Sequence, residues 1–314
     1  MSATVKRSDT CGFQSFTLEN GVLRATVIPS LGGRIWDLVD CKRQRQWIWH
    51  RDDVKLAPAH LNSTYDDVWA GGWEELFPND APGPFEGRVL PDHGEWWVKH
   101  WHVEDSSDGH VASLRLTCET EVVRARCTKE IRLDDRSNTL HVSYRIESLE
   151  PSLFHFLFKQ HLPIAITPQC RLSMAGGRVV PVDPAFGTRV RDAAGFDWRA
   201  AAAGGDGIDL SRIPPRDSRE REFVYVLDAP EGWCGVDDME RGATLRFAFD
   251  RERVPFVWLF LSYGGWRDCY TAVLEPCTNF PKNLEDAVAR GRAAGLRPGE
   301  VWETRARVTL GQAE

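Results

Sequence analysis

The sequence predicts an all-β protein, and three observations support this fold class. Strand-like runs are broken by turn residues at roughly 8–14 residue intervals along most of the 314 residues. Helical periodicity is scarce, which argues against a parallel sheet with helical crossovers. Apolar and polar residues alternate in several runs, and segment 139–148 would bury one face made of Leu140, Val142, Tyr144 and Ile146.

Strand-like segments of similar composition follow one another along the whole chain. One helix is predicted at 282–294, because Pro281 stands at its start and Gly295 just beyond its end. Segments 191–207 and 211–222 read as surface loops, so we expect a single domain spanning 1–314. The strands are predicted within 22–33, 112–135, 139–148, 223–228, 243–250, 257–265 and 270–276.

Composition excludes several classes of function. The net charge of -7 disfavours a nucleic-acid partner, which needs a basic surface. No apolar stretch approaches the roughly 20 residues that cross a bilayer, and the N-terminus lacks an apolar leader, so we expect a cytoplasmic protein without a membrane partner. The eight cysteines form no CxxC pair and are expected to be free and mostly buried. A monomer and a homodimer both remain possible.

Tryptophan is unusually concentrated in one stretch. Five of the 13 tryptophans lie between positions 69 and 101, among the segments GGWEELFPND and LPDHGEWW. Aromatic faces beside a few polar groups suit a sugar, which presents apolar C–H faces and a rim of hydroxyls. Core packing is the alternative for each tryptophan. The stretch gives four candidate substrate-binding residues: Trp73, Glu74, Asp92 and Trp96.

Histidines in this part of the chain suggest two different sites. His93 lies between Pro, Asp and Gly, a composition typical of a turn that presents a functional side chain. His100 and His102 have the spacing of two metal ligands on one strand. No later His or Glu completes a metal site convincingly, so we expect no metal.

Two later segments interrupt apolar runs with ionisable groups. FHFLFKQHLPIAI (154–166) carries His155, Lys159 and His161, and a satisfied core histidine is the alternative to a functional one. Glu275 follows an apolar run in YTAVLEPCTNFP and is predicted to close the strand. Burial there would raise its pKa towards the range of a general base, with a structural salt bridge as the alternative.

Together these segments resemble the aldose 1-epimerase (galactose mutarotase) superfamily, in a divergent form. The resemblance begins at ATVIPSLGGRIWDL (25–38) and continues in family order through GGWEELFPND, LPDHGEWW, FLFKQHLPIAI and LEPCTNFPKNLEDAV (274–288), so it covers nearly the whole chain. It implies a β-supersandwich of large antiparallel sheets with a carbohydrate bound in an open cleft.

The resemblance also implies an isomerase that interconverts α and β anomers without a cofactor. Glu275 would be the general base, His161 the general acid that protonates the ring oxygen, and His93 a residue that holds a substrate oxygen. The base and acid would lie on opposite sides of the reacting C1–O5 unit. Lys159 and Arg34, in the Gly-Gly-Arg turn, are further candidates for substrate binding, and a structural role is favoured for Arg34.

Other functions remain open at this stage. A non-catalytic carbohydrate-binding or regulatory protein on the same fold is the main alternative, and a polysaccharide lyase or hydrolase is another. The segment GGWEELFPND, with Trp73, Glu74 and Glu75, stands where galactose-active members carry an Asn-Arg pair, so the sugar is not specified. Lys99, Lys159 and Arg267 suggest, as a hint only, an anionic substituent on the sugar.

Overall fold

A computed structural model describes residues 2–198 and 208–313. The first twelve strands in these residues are β1 (Thr4–Thr10), β2 (Phe13–Glu19), β3 (Leu23–Ile28), β4 (Arg34–Asp40), β5 (Arg45–Gln46), β6 (Glu74–Leu76), β7 (Gly83–Phe85), β8 (Arg88–Leu90), β9 (His102–Ser107), β10 (Val111–Thr120), β11 (Ala125–Asp134) and β12 (Thr139–Ser148). The others are β13 (Phe154–Phe156), β14 (Lys159–Ala165), β15 (Cys170–Met174), β16 (Arg178–Pro181), β17 (Phe196–Asp197), β18 (Glu220–Leu227), β19 (Trp233–Asp238), β20 (Ala243–Phe249), β21 (Phe256–Tyr263), β22 (Tyr270–Cys277), β23 (Ala294–Leu296) and β24 (Val301–Gln312).

Most of these strands form three antiparallel sheets. A five-stranded sheet has the order β1-β2-β3-β4-β5, and an eight-stranded sheet has the order β15-β19-β20-β24-β12-β11-β10-β9. A seven-stranded sheet has the order β17-β16-β18-β21-β22-β14-β6, while β7-β8 and β13-β23 are separate pairs. Helices α1 (Tyr65–Val68) and α2 (Leu284–Ala289) and the 3-10 helices Trp96–Val98 and Arg216–Ser218 are short.

The sheets pack as a sandwich around one apolar core. On β12, the predicted alternation is confirmed, because Leu140, Val142, Tyr144 and Ile146 are buried while His141 is exposed. They share a core cluster with alternate residues of β21 and with strands of the five-stranded sheet. The all-β prediction is therefore confirmed.

The predicted helix at 282–294 is too long. Only Leu284–Ala289 is helical, capped by Asn283, whose side chain accepts a hydrogen bond from the Asp286 amide at 3.1 Å. The chain then turns at Gly291, with φ +64°, and residues 294–296 pair with β13 as a strand. Gly295, which the prediction placed just beyond the helix, therefore lies within strand β23.

Other expectations have mixed outcomes. All eight cysteines are free and five are buried. Part of the loop predicted at 191–207 forms β17, and its residues 199–207 lie outside the described residues. Within the described residues, no helix has the length and apolarity needed to span a bilayer.

Candidate active site

The candidate site lies on one face of the seven-stranded sheet, opposite the core. Side chains alternate along a strand, so Lys159 and His161 of β14 share one face, and Leu162 lies on the opposite face. Pairing places His161 across from Glu74 of β6. Glu275 lies in the neighbouring strand β22, two residues before its end and not at its terminus as the sequence suggested.

His161 and Glu275 are in contact at the centre of this face. His161 Nε2 lies 3.3 Å from Glu275 Oε1, and the residues are 5 % and 1 % exposed. Burial, followed by the charge of Lys159, lowers the pKa of His161 well below its ordinary value, so the imidazole is neutral at rest. Burial raises the pKa of Glu275, while Lys159 opposes that shift. The pair therefore has the opposed proton affinities of a general acid–base couple.

Lys159 connects two carboxylates beside this pair. Its Nζ lies 3.0 Å from Glu275 Oε2 and 2.5 Å from Asp80 Oδ2, and it stands over the Trp258 ring at 4.4 Å. Burial disfavours the ammonium ion, but Asp80 and Glu275 outweigh burial and raise the pKa of Lys159. This lysine is charged and fully engaged within the protein.

Tyr65 brings a hydroxyl group to the other ring nitrogen of His161. The hydroxyl lies 3.3 Å from His161 Nδ1 and donates a hydrogen bond to Glu74 Oε1. Glu74 also pairs with Arg34, which donates a second hydrogen bond to the Gly71 carbonyl at 2.8 Å. Burial raises the pKa of Glu74, with the guanidinium of Arg34 acting against it. Helix α1 is positioned by the Tyr65 amide, which donates to Asp92 Oδ2 at 2.8 Å.

The loop carrying His93 forms the partly open rim of the site. Its ring stacks on Tyr65 with centroids 3.9 Å apart, and Nδ1 lies 2.7 Å from Asp92 Oδ1. His93 has φ +59°, as a tight turn requires. A Cβ on the following Gly94 would lie 2.2 Å from the Phe77 carbonyl oxygen, so only glycine fits. The side chains of His93 and Asp92 are 20 % and 23 % exposed.

The structure brings most of the predicted site residues together. His161, Glu275, Lys159 and Glu74 form a cluster with Arg34, while Asp92 and His93 stand at its rim. We name the buried group the front cluster; its members are Arg34, Tyr65, Glu74, Asp80, Lys159, His161 and Glu275.

Two predicted binding residues lie elsewhere. Trp73 and Trp96 are 0 % exposed within the core, where Trp73 packs on Phe247 and Trp96 packs on Trp101. Core packing, the alternative weighed for each tryptophan, describes both. Their rings fill the space between the sheets instead of lining the cluster.

The remaining ionisable candidates also lie outside the cluster. His155 pairs with Glu86 near the surface at 2.6 Å. Lys99 and Arg267 are each paired with a carboxylate, at 2.8 Å and 2.7 Å. His100 precedes β9 and is exposed, as is His102 at its start. Within residues 2–198 and 208–313, no group of three or more His, Cys, Asp or Glu side chains is arranged to hold a metal ion.

Sequence reasoning missed Tyr65 and Asp80 as site residues. Asp80 could have been found, because it ends the FPND turn only six residues after the candidate Glu74. Tyr65 gave no signal, since a lone tyrosine in a four-residue helix has no distinguishing pattern. Trp69 was noted only as one of the clustered tryptophans; it packs edge-on against His161 at 5.0 Å.

A second buried ion pair lies on the opposite, core-facing side of the same sheet. Lys129 Nζ is 2.8 Å from both carboxylate oxygens of Glu75 and 3.1 Å from the Gly33 carbonyl oxygen. The Tyr144 hydroxyl donates to Glu75 Oε1 at 2.6 Å. We name Glu75, Lys129 and Tyr144 the back cluster. It ties β6 to β11 and β12 across the core.

Comparison with solved structures relates this architecture to known proteins. A proposed aldose 1-epimerase from Klebsiella pneumoniae superposes with a TM-score of 0.76 at 14 % identity, covering 96 % of this chain and 80 % of that one. A galactose mutarotase-like protein from Clostridium acetobutylicum superposes with a TM-score of 0.73 at 12 % identity, covering 99 % of both chains. The chain has the galactose mutarotase-like fold.

A third structure agrees with this assignment of fold. A proposed aldose 1-epimerase from Escherichia coli K12 superposes with a TM-score of 0.66 at 15 % identity, covering 95 % of this chain and 99 % of that one. No protein-family model matches the sequence, and no curated protein matches it either. The galactose mutarotase-like fold is therefore shared without close sequence similarity, and activity has to be argued from the site.

Proposed function

We propose that this protein is an aldose 1-epimerase-like isomerase that interconverts the α and β anomers of a sugar. The contact between His161 and Glu275 carries the proposal. A neutral imidazole and a carboxyl group of raised pKa, buried side by side, can exchange protons with one bound hydroxyl and one ring oxygen. Because the His161 and Glu275 side chains lie only 3.3 Å apart, the sugar would bind across both side chains and not between them.

The proposed reaction begins with loss of the anomeric hydroxyl proton to Glu275. The oxygen electrons then form the C1 carbonyl as the bond from C1 to the ring oxygen breaks, and that oxygen takes the proton from His161 Nε2. Rotation about the C1–C2 bond presents the other face of the aldehyde. Closure by the reverse proton transfers gives the opposite anomer and restores both groups.

Tyr65 and Glu74 provide the proton that keeps His161 neutral during ring opening. As Nε2 gives up its proton, Nδ1 can accept one from the Tyr65 hydroxyl. For this transfer Glu74 has to carry a proton on Oε1, so that it donates to the Tyr65 oxygen while the Tyr65 hydroxyl turns from Glu74 to Nδ1. The raised pKa of Glu74 favours its protonated form, and Arg34 stabilises the carboxylate left behind. His93, held by Asp92 at the rim, would bind another substrate hydroxyl.

The first test measures anomer exchange by NMR saturation transfer on a panel of sugars, with and without protein. We expect acceleration, and a loss of about 10²–10⁴-fold for Glu275→Gln or His161→Asn, the typical contribution of a positioned acid or base. Circular dichroism should show both variants folded. Glu285→Gln, at an exposed position of α2, and His155→Asn are the matched controls and should keep full activity.

The same experiment distinguishes the main alternative function. Sugar resonances that broaden on binding, without faster exchange, would indicate a non-catalytic carbohydrate-binding protein. Unchanged exchange in Glu275→Gln would instead remove the glutamate from its role as base.

A further inference from the structure

Beyond the reacting pair, the site face of the seven-stranded sheet carries a row of half-buried aromatic rings. Phe260 on β21 pairs with Phe223 on β18, Trp266 lies in the turn before β22, and Phe186 lies in the segment after β16. We name these four residues the aromatic floor. Adjacent rings in it have centroids 5.1–6.4 Å apart.

The aromatic floor is continuous with the candidate active site. Trp69 contacts His161 with ring centroids 5.0 Å apart and reaches Trp266 at 6.2 Å. Trp266 in turn reaches Phe260 at 5.1 Å. Since adjacent strands lie about 4.8 Å apart and a strand rises about 3.4 Å per residue, Phe223 on β18 is roughly 10 Å across the sheet and about 7 Å along it from Glu275 on β22. That distance is enough for a second sugar ring beside the one that reacts.

Charge around the front cluster disfavours an anionic substrate. Within the described residues, Lys159 and Arg34 are its only permanent cations, and both are paired with buried carboxylates. Arg51 and Arg267, which reach the Trp266 ring, pair with Asp53 and Asp67. A phosphate or carboxylate on the reacting ring would therefore meet the buried carboxylates of the front cluster, whose own cations are already paired.

Taking the proposed isomerase function as its basis, we propose that the substrate is an uncharged reducing oligosaccharide of two or more rings. The reducing-end ring meets His161 and Glu275, and the next ring lies on the aromatic floor.

Polar groups at the edge of the floor favour a sugar over an apolar chain. The Arg221 guanidinium stands over the Phe186 ring at 4.7 Å, and the Arg267 guanidinium stands 5.4 Å from the Trp266 ring. A sugar ring offers a C–H face to the aromatic surface and hydroxyls to this charged edge, whereas a hydrocarbon chain satisfies only the first.

The experiment compares anomer exchange of glucose, glucose 6-phosphate, maltose, cellobiose and lactose by the full-length protein. We expect the largest kcat/KM for a disaccharide and the smallest for the phosphate. In Phe260→Leu the ratio of kcat/KM for that disaccharide to kcat/KM for glucose should fall by up to about tenfold, as the ring face is lost while volume is nearly kept.

Phe256→Leu is the matched control, because Phe256 lies on the same strand and face as Phe260 but on the other side of Trp258. It should leave the ratio unchanged. Three results would overturn the oligosaccharide proposal: equal kcat/KM for glucose and all disaccharides, preference for the phosphate, or an unchanged ratio in Phe260→Leu. None of them would contradict the proposed isomerase activity.

A different result is expected if the proposed isomerase activity is wrong. If no sugar exchanges faster, saturation-transfer difference spectra measure binding directly. Disaccharide binding that weakens in Phe260→Leu and not in Phe256→Leu would support the aromatic floor as a sugar site while overturning the isomerase. Absence of binding would overturn both.

Discussion

The front and back clusters use the same kinds of side chain on opposite faces of one sheet, yet they are built differently. The back cluster joins one lysine to one carboxylate and one tyrosine hydroxyl, and its lysine and glutamate side chains are 0 % exposed. The front cluster places one lysine between two carboxylates and adds a histidine of strongly lowered pKa. Neighbours on β6, Glu74 and Glu75, belong to different clusters because strand side chains alternate.

This difference separates a structural ion pair from the one that the proposed isomerase would use. The back cluster pairs one cation with one carboxylate, and both side chains are fully buried, so neither solvent nor a ligand reaches them to exchange a proton. The front cluster contains more carboxylates than permanent cations, a neutral imidazole and slight exposure at His161 and Asp80. Burial also lowers the pKa of Lys129 and raises the pKa of Tyr144 in the back cluster, so the contrast rests on access and charge balance. Shifted ionisable groups that a ligand can reach are typical of functional sites.

The largest expected effect is a loss of stability when the back cluster loses its cation. Lys129→Met leaves the Glu75 carboxylate buried without its cation, which should lower the free energy of unfolding by about 3–5 kcal/mol. The rate of anomer exchange per folded molecule should stay unchanged. Urea denaturation measures the first quantity and NMR exchange the second. Lys129→Met/Glu75→Leu, which replaces both charges with apolar groups, should recover most of the lost stability.

Removing one hydroxyl from each cluster should separate their roles further. Tyr65→Phe interrupts the proposed proton path to His161, and we expect exchange to slow by about 10²-fold. Tyr144→Phe removes a hydrogen bond to Glu75 and should cost about 1–3 kcal/mol of stability with little change in rate. Equal rates in the two variants would contradict the proton path through Tyr65.

The smallest effect expected on the exchange rate is a change in its pH dependence. Lys159 opposes the rise in the pKa of Glu275, so Lys159→Met should raise that pKa further. Glu275 would then become protonated at higher pH, and the acid limb of the rate profile should move upwards. The Lys129→Met variant serves as control and should leave that limb in place.

The pH dependence of the free energy of unfolding should also depend on Lys159. Lys159 and His93 outweigh burial and hold the pKa of Asp80 below its ordinary value. The pairing therefore stabilises the fold above the pKa of an unfolded aspartate, about 3.9, and loses this contribution as pH falls towards the lower folded value. Urea titrations across that range should show a steeper acid loss in the wild type than in Lys159→Met.

The sequence was informative where a pattern is local. Alternation predicted the strands, and polar interruptions of apolar runs identified Lys159, His161 and Glu275. It could not distinguish Trp73 or Trp96 from a ligand-binding tryptophan, because burial depends on strands paired far along the chain. Tyr65 could not be found for the same reason, since it meets His161 across 96 positions. The helix length was misjudged because pairing with β13 overrides local propensity from residue 294 onwards.

The proposed acid and base, His161 and Glu275, lie on strands β14 and β22, which are widely separated in the chain but adjacent in space. Lys159 meets Asp80 across 79 positions and Glu275 across 116. No fragment that lacks any one of these segments can hold the full set of groups. Anomer exchange would therefore report complete folding, and recovery of activity after dilution from urea should be as slow as the formation of the most distant strand pairs.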